Sequence, residues 1–317
     1  MARFKVLCPW DVSFCEWTLD QLKEVADVDV IEPDRDYVLE HIHEYDAYLA
    51  SLYVQIDKEV LQRAKKLKII YTPSTGLDHL DLETIEAMGI EWYCIKTEFG
   101  LLDGVTATAE MAWTLMLAAC RRLPTAHNAA MRGEWARDKF RGMQLSGKTL
   151  GIIGVGRLGR MMAEYGQGFR MRVLGYDHNK RYVVPGVQYA DLDTLLAESD
   201  VITIHIHLTE ENRHFIDKAS FDKMKDGVVI INTSRGAIIK EDDFVEAIKS
   251  GKVGGAGLDV IEGEWREDLE NHPLIQLARE HDRVVISPHL GGVTVESQAA
   301  SHEFVADRLA EWIKAKQ

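Results

Sequence analysis

Three stretches of this chain carry side chains suited to holding an anion and moving a proton. They are "IINTSRGAII" (230–239), "GAGLDVIEGEW" (255–265) and "VVISPHLGG" (284–292). The first offers Arg235, the second Asp259, Glu262 and Glu264, and the third His289. A guanidinium grips a carboxylate through two parallel hydrogen bonds. An imidazole exchanges a proton near neutral pH, and a neighbouring carboxylate favours its charged form. Arginine, acid and histidine together suit hydride transfer to a carbonyl, with Glu262 and Glu264 both open as the acid. A fourth stretch, "TLGIIGVGRLG" (149–159), spaces Gly154, Gly156 and Gly159 as a phosphate-binding turn. There Gly154 permits the tight turn, Gly156 admits a pyrophosphate to the backbone, and Gly159 allows close helix–strand packing. The amides of Arg157 and Leu158 at the helix start would face the anion. Asp177 follows 18 residues after Gly159, at the end of the next strand, where a carboxylate binds ribose hydroxyls. That favours NAD(H), while His178, Lys180 and Arg181 directly after it leave NADP(H) open.

The elements that must position these groups are short apolar runs: "FKVLCP", "KIIYTP", "TLGIIGV", "MRVLGYD", "DVITIHI", "GVVIINT" and "RVVISP". Most lack polar alternation, so they read as strands buried on both faces of parallel sheets. Helical patterns separate them, which predicts doubly wound α/β architecture. The three reactive stretches then lie at carboxyl ends of strands, beside the ligand crevice. The strand series occurs twice, from residue 4 to about 95 and again from Thr149. Between the two, "VTATAEMAWTLMLAACRR" (105–122) predicts a helix capped by Thr106 or Thr108. It is apolar nearly all round, which predicts burial between domains or at a subunit interface. Trp135, in the polar connection that follows, reads as a packing anchor.

Composition narrows the partners. The chain has 46% hydrophobic and 28% charged residues, within the range of globular proteins rather than disordered ones. A net charge of −14 argues against a nucleic-acid partner. The first 98 residues hold 20 acidic against 10 basic side chains, so an anionic substrate requires a local basic site. No apolar run reaches the roughly 20 residues a bilayer span needs, and the first residues lack a signal-peptide pattern. Cys8, Cys15, Cys94 and Cys120 form no CxxC pair, which fits reduced thiols and a cytoplasmic location. His205 and His207 alternate on one strand without a third ligand at suitable spacing, so no metal is expected.

The chain resembles the D-isomer-specific 2-hydroxyacid dehydrogenases, including phosphoglycerate dehydrogenases and glyoxylate and hydroxypyruvate reductases. The matching pieces are "STGLDHLDLE", "GKTLGIIGVGRLG", "HLTEENRHFID", "NTSRGAII", "GAGLDV" and "SPHLGG", in the family's order. The resemblance implies a Rossmann NAD domain, 99–292, inserted into a discontinuous flavodoxin-like substrate domain, 1–98 plus 293–317. It implies a homodimer whose dimerisation region begins with the helix at 105–122, and a small 2-oxo or 2-hydroxy acid as substrate. Arg235 would hold the substrate carboxylate and carbonyl oxygen, His289 would donate the proton, and Glu264 would hydrogen-bond His289. Asp259 would bind the nicotinamide carboxamide, and Thr233 and Ser234 would line its ribose. Thr108 and Gly291 would lie beside the same ring, and His207 near the adenine end. Tyr53 and the amides of Thr75 and Gly76 would complete the substrate cradle. Glu262 matches no functional position and is expected in solvent.

Two departures stand out. The family commonly has proline after the catalytic glutamate, where this chain has Trp265, and proline where His207 stands. Trp265 either fills the edge of the pocket or reroutes the loop. Phosphoglycerate-using relatives place arginines where Ser51 and Tyr53 align, which weakens the case for a phosphorylated substrate. An NADH-sensing regulator or corepressor on the same fold is the alternative function, since fold alone does not fix activity.

Overall fold

The alternating strands and helices build two all-parallel sheets, each in its own compact unit, in a computed structural model describing residues 3–179 and 183–316. One unit is Met1–Val105 with Val293–Gln317, and the other is Thr106–Gly292. The division falls after Val105 rather than after residue 98. The short helix Phe99–Leu102 stays with the first unit because Leu102 is buried in that unit's core with Leu19 and Val305.

In the first unit, strands β1 (Phe4–Cys8), β2 (Ala26–Val30), β3 (Ala47–Leu49), β4 (Ile69–Thr72) and β5 (Glu91–Cys94) run in the order β2-β1-β3-β4-β5. This is the flavodoxin-like order, with its reversal between β1 and β3. Alternate residues serve opposite faces: Val6, Cys8, Leu49 and Tyr71 enter one core, and Leu7, Tyr48 and Ile70 the other. The helix Val295–Lys316 covers the first of these faces with Val305, Leu309 and Ile313.

In the second unit the strands are β6 (Thr149–Ile153), β7 (Arg172–Tyr176), β8 (Val187–Tyr189), β9 (Val201–Ile204), β10 (Val228–Asn232), β11 (Val253–Leu258) and β12 (Val284–Ile286). Their order is β12-β11-β10-β9-β6-β7-β8, a Rossmann arrangement extended by one strand, and it reverses between β6 and β9. Every residue of β6, β9 and β10 is buried. Each fully covered Val, Ile or Leu there contributes roughly 1.5–3 kcal/mol.

The helix Ala107–Arg121 is buried against elements of its own unit. It packs on β10, β11 and β12 and on the helix Arg157–Gly168 of its own unit. The cause is in β11, "VGGAGL": a Cβ on Gly257 would stand 2.8 Å from Leu115 Cβ, so the glycine lets the helix settle onto the sheet. Thr106 is the residue at the N-cap, yet its hydroxyl donates to Glu110 Oε1 at 2.5 Å instead of capping a backbone amide. Trp135 is 86% exposed, so it anchors no packing within the chain.

Candidate active site

The turn after β6 has the shape its glycines require. Gly154 adopts φ +92°, and a Cβ there would stand 2.5 Å from the His205 carbonyl oxygen. A Cβ on Gly159 would stand 2.1 Å from the Gly154 carbonyl oxygen, so the helix Arg157–Gly168 starts directly on the turn. At Gly156 a Cβ would meet nothing within 4 Å, which leaves the open backbone approach that a pyrophosphate needs. Asp177 braces the turn: Oδ2 accepts from the Val155 amide and Oδ1 from the Asn179 amide, each at 2.8 Å. Lys180 and Arg181 lie outside the described residues. Arg157 and Leu158 open the helix, and His207 is exposed beyond β9.

After β10 the chain folds back on itself. Asn232 donates from Nδ2 to the Arg235 carbonyl at 2.9 Å and accepts the Ser234 amide at 3.0 Å. The Ser234 hydroxyl donates to the Ile204 carbonyl at 2.9 Å, tying this turn to β9. The Thr233 hydroxyl oxygen is buried and has no protein partner. A buried hydroxyl normally finds one, so Thr233 together with the open space at Gly156 fits a bound dinucleotide. Gly236 explains the glycine after Arg235: a Cβ there would stand 2.1 Å from the Ile261 carbonyl carbon. The Arg235 turn and the loop carrying Glu264 are therefore in backbone contact.

That loop brings the acid to the histidine. Glu264 Oε1 lies 2.6 Å from His289 Nδ1, with both side chains less than one-fifth exposed. The other oxygen, Oε2, accepts the Ile261 amide at 3.4 Å. His289 holds a left-handed backbone, φ 55°, fixed by its amide donating to the Asp259 carbonyl at 2.8 Å. The Trp265 ring stacks on His289, centroids 6.1 Å apart and planes 27° from parallel. Trp265 thus meets the imidazole in an offset stack.

Asp259 has a fuller task than the sequence indicates. Its carboxylate accepts from the Ser287 hydroxyl at 2.5 Å and from the Leu290 and Gly291 amides at 2.8 and 2.7 Å. It is 1% exposed and ties the loop after β12 to the end of β11. A Cβ on Gly291 would stand 3.0 Å from Asp259 Oδ2 and 3.1 Å from Thr108 Cγ2, which places Thr108 at this loop. Glu262 is not left to solvent: it accepts from Arg213 Nη1 at 2.9 Å and lies 3.2 Å from His214 Nε2.

Sequence reasoning missed Glu241 and His272. Glu241 Oε1 accepts the Glu262 amide at 2.7 Å, and His272 Nε2 donates to the Glu262 carbonyl at 3.0 Å. The same Nε2 lies 3.2 Å from Glu241 Oε2, while Nδ1 accepts the Leu274 amide. This network places the histidine proton on Nε2. Burial raises the Glu241 carboxyl above its ordinary value. The pair holds both the amide and the carbonyl of Glu262, two residues before Glu264. The available signal was the "NHP" stretch before the helix Pro273–Glu280, where His272 replaces the usual capping residue.

In the first unit, Tyr53 is 66% exposed and its amide donates to Ser51 Oγ at 3.3 Å. The Gly76 amide donates to Ser74 Oγ at 3.3 Å, and Thr75 lies between them on the loop after β4.

The NAD binding domain of the D-isomer specific 2-hydroxyacid dehydrogenases matches residues 113–291, more than half of the chain. A hydroxypyruvate reductase of Thermotoga maritima is 37% identical over 300 residues, covering 94% of each chain. A D-3-phosphoglycerate dehydrogenase of Archaeoglobus fulgidus is 39% identical over 88% of this chain, which spans only 52% of that longer protein. Among solved structures, the D-lactate dehydrogenase of Aquifex aeolicus, complexed with NAD and lactic acid, superposes with a TM-score of 0.86 at 29% identity. That superposition covers 98% of this chain and 96% of the other. The glycine turn, the Arg235 loop and the Glu264–His289 pair all fall within the matched residues. The chain belongs to the D-isomer specific 2-hydroxyacid dehydrogenases.

Proposed function

We propose that this chain is an NAD(H)-dependent dehydrogenase that interconverts a small 2-oxo acid and its D-2-hydroxy acid. The observation that carries the reading is the 2.6 Å contact between Glu264 Oε1 and His289 Nδ1 at the ends of β11 and β12. Bound NADH supplies the hydride. The Gly154–Gly159 turn and Asp177 hold the dinucleotide, with Thr233 and Ser234 toward its ribose. Arg235 pairs with the substrate carboxylate and polarises the carbonyl. Glu264 occupies Nδ1 of His289, which leaves Nε2 to give its proton to the forming alkoxide. Tyr53, Thr75 and Gly76 take part in the substrate cradle.

The protein acts as a homodimer in a reducing compartment, the cytoplasm. Support for the dimer comes from Leu123, Met131 and Trp135, which are 60%, 74% and 86% exposed on one arm. Support for the compartment comes from the four free cysteines. Among the described residues, no helix is long and apolar enough to cross a membrane. The net charge of −14 disfavours nucleic acid.

Steady-state assays with glyoxylate, hydroxypyruvate, pyruvate and phosphohydroxypyruvate, each with NADH and NADPH, test the reading. At least one 2-oxo acid is turned over with NADH. His289→Ala lowers kcat by about 10²- to 10⁴-fold while NADH still binds. Glu264→Gln impairs reduction, whereas Glu262→Gln leaves the chemical step intact. NADH binding without turnover of any acid points instead to a nucleotide-responsive regulator.

A further inference from the structure

We infer that Trp265 is a positioning residue for proton transfer, fixing the plane of the His289 ring and shielding one face of it from water. The inference rests on the reading of His289 as proton donor. Glu264 holds the imidazole at one point only, Nδ1. A single hydrogen bond leaves the ring free to rock about the direction of that bond, because χ2 of histidine is a broad torsion. A second contact, on the ring face, removes this freedom. Trp265 supplies it, with centroids 6.1 Å apart and planes 27° from parallel, within the range of favourable stacking.

The chain places the indole by local means. Gly263 takes φ +74°, turning the loop so that Glu264 and Trp265 reach the same imidazole from consecutive positions. Both Glu264 oxygens are engaged, one by His289 and one by the Ile261 amide, so the carboxylate cannot swing away with the ring. Beyond the tryptophan, Arg266 donates to both oxygens of Asp268 and closes the outer end of the loop. Trp265 is 46% exposed, whereas the His289 side chain is only 17% exposed. The offset indole therefore stands on the solvent side of the more buried imidazole and covers part of its face. Its electron-rich face also attracts the charged ring, the form that gives up the proton in reduction. Glu264 and Trp265 thus act on one group in two ways, along its edge and over its face.

Two measurements on Trp265→Ala and Trp265→Phe test this. In the ligand-free protein, the imidazole ring-proton resonances of His289 carry the ring-current shift of the indole. They move toward free-imidazole values in Trp265→Ala, and unchanged resonances overturn the inference. In turnover of the best 2-oxo acid, Trp265→Ala lowers kcat about tenfold, since misplacing a general acid costs rate more than affinity. The solvent deuterium isotope effect on kcat rises, KM and NADH affinity hold within about twofold, and Trp265→Phe recovers most of the rate. An Ala variant with unchanged kcat, a loss confined to KM, or a Phe variant as impaired as Ala overturns it. Wild-type protein that turns over no 2-oxo acid overturns the dehydrogenase reading itself, a result distinct from wild-type turnover that is insensitive to residue 265.

Discussion

The two units carry the same kind of sheet, yet the ends of their first strands are built in opposite ways. At the end of β6 stand glycines, and the backbone at Gly156 faces open space. At the end of β1 stands Trp10, 4% exposed, whose indole donates to the Ala50 carbonyl at the end of β3 at 3.0 Å. The indole stacks on His302, centroids 4.3 Å apart and planes 16° from parallel, and the Cys15 thiol lies 4.0 Å from His302 Nδ1. Since β1 and β3 flank the reversal of the first sheet, Trp10 fills the crevice that topology creates there. Strand order makes a crevice in both sheets, and side-chain volume decides whether it stays open.

The largest effect follows from opening the filled crevice. Trp10→Ala removes the indole from a closed core and costs about 3–5 kcal/mol of stability. Chemical denaturation measures this, and a loss below about 1 kcal/mol breaks the comparison, because Trp10 would then be filling nothing.

Next comes acid stability. Burial pushes His302 down to about 4, from the ordinary 6.5. The folded state therefore keeps the ring neutral between those values, while the unfolded chain takes up a proton. Stability falls as pH drops through that window, by up to about 3 kcal/mol, and is restored as pH rises above it. His302→Phe keeps a stacked ring and flattens this dependence. His205, which burial pushes down to about 3, contributes to the residual slope. Equal slopes in wild type and variant, measured by unfolding at stepped pH, remove His302 from the explanation.

The smallest change in the fold carries the sharpest functional contrast. Gly159→Ala forces a Cβ against the Gly154 carbonyl and costs about 1–3 kcal/mol of stability as well as NADH affinity. Gly156→Val places its side chain in open space, so stability stays within about 0.5 kcal/mol while NADH binding weakens about tenfold or more. Calorimetric binding and denaturation on the two variants separate them. If Gly156→Val binds NADH normally, the open turn is not the phosphate cradle.

The central strands of the second sheet were legible because β6, β9 and β10 are covered on both faces and read as unbroken apolar runs. Strands β2 "ADVDV", β5 "EWYC" and β8 "VQY" were not, since they lie at sheet edges and need fewer apolar side chains. The three-residue strand β3 "AYL" is too short to carry a pattern, although it is buried. The glycine turn was legible because its spacing is local. The covering of the helix Ala107–Arg121 was not, because it depends on Gly257 far along the chain. Glu241 and His272 escaped for the same reason: they hold the backbone amide and carbonyl of Glu262, which sequence places 21 and 10 residues away.

The left-handed backbone at His289 bears on how such a protein changes over evolutionary time. Few residues other than glycine accept φ near +55°, and asparagine is foremost among them with aspartate and histidine. Histidine and asparagine codons differ by a single base. Replacement of this histidine by asparagine therefore leaves the loop's conformation nearly undisturbed, and with it the glycine turn after β6. With His289 as the proton donor proposed above, a lineage carrying this chain lies one mutation from a well-folded protein that keeps the nucleotide turn without the chemistry, ready to be selected for something else.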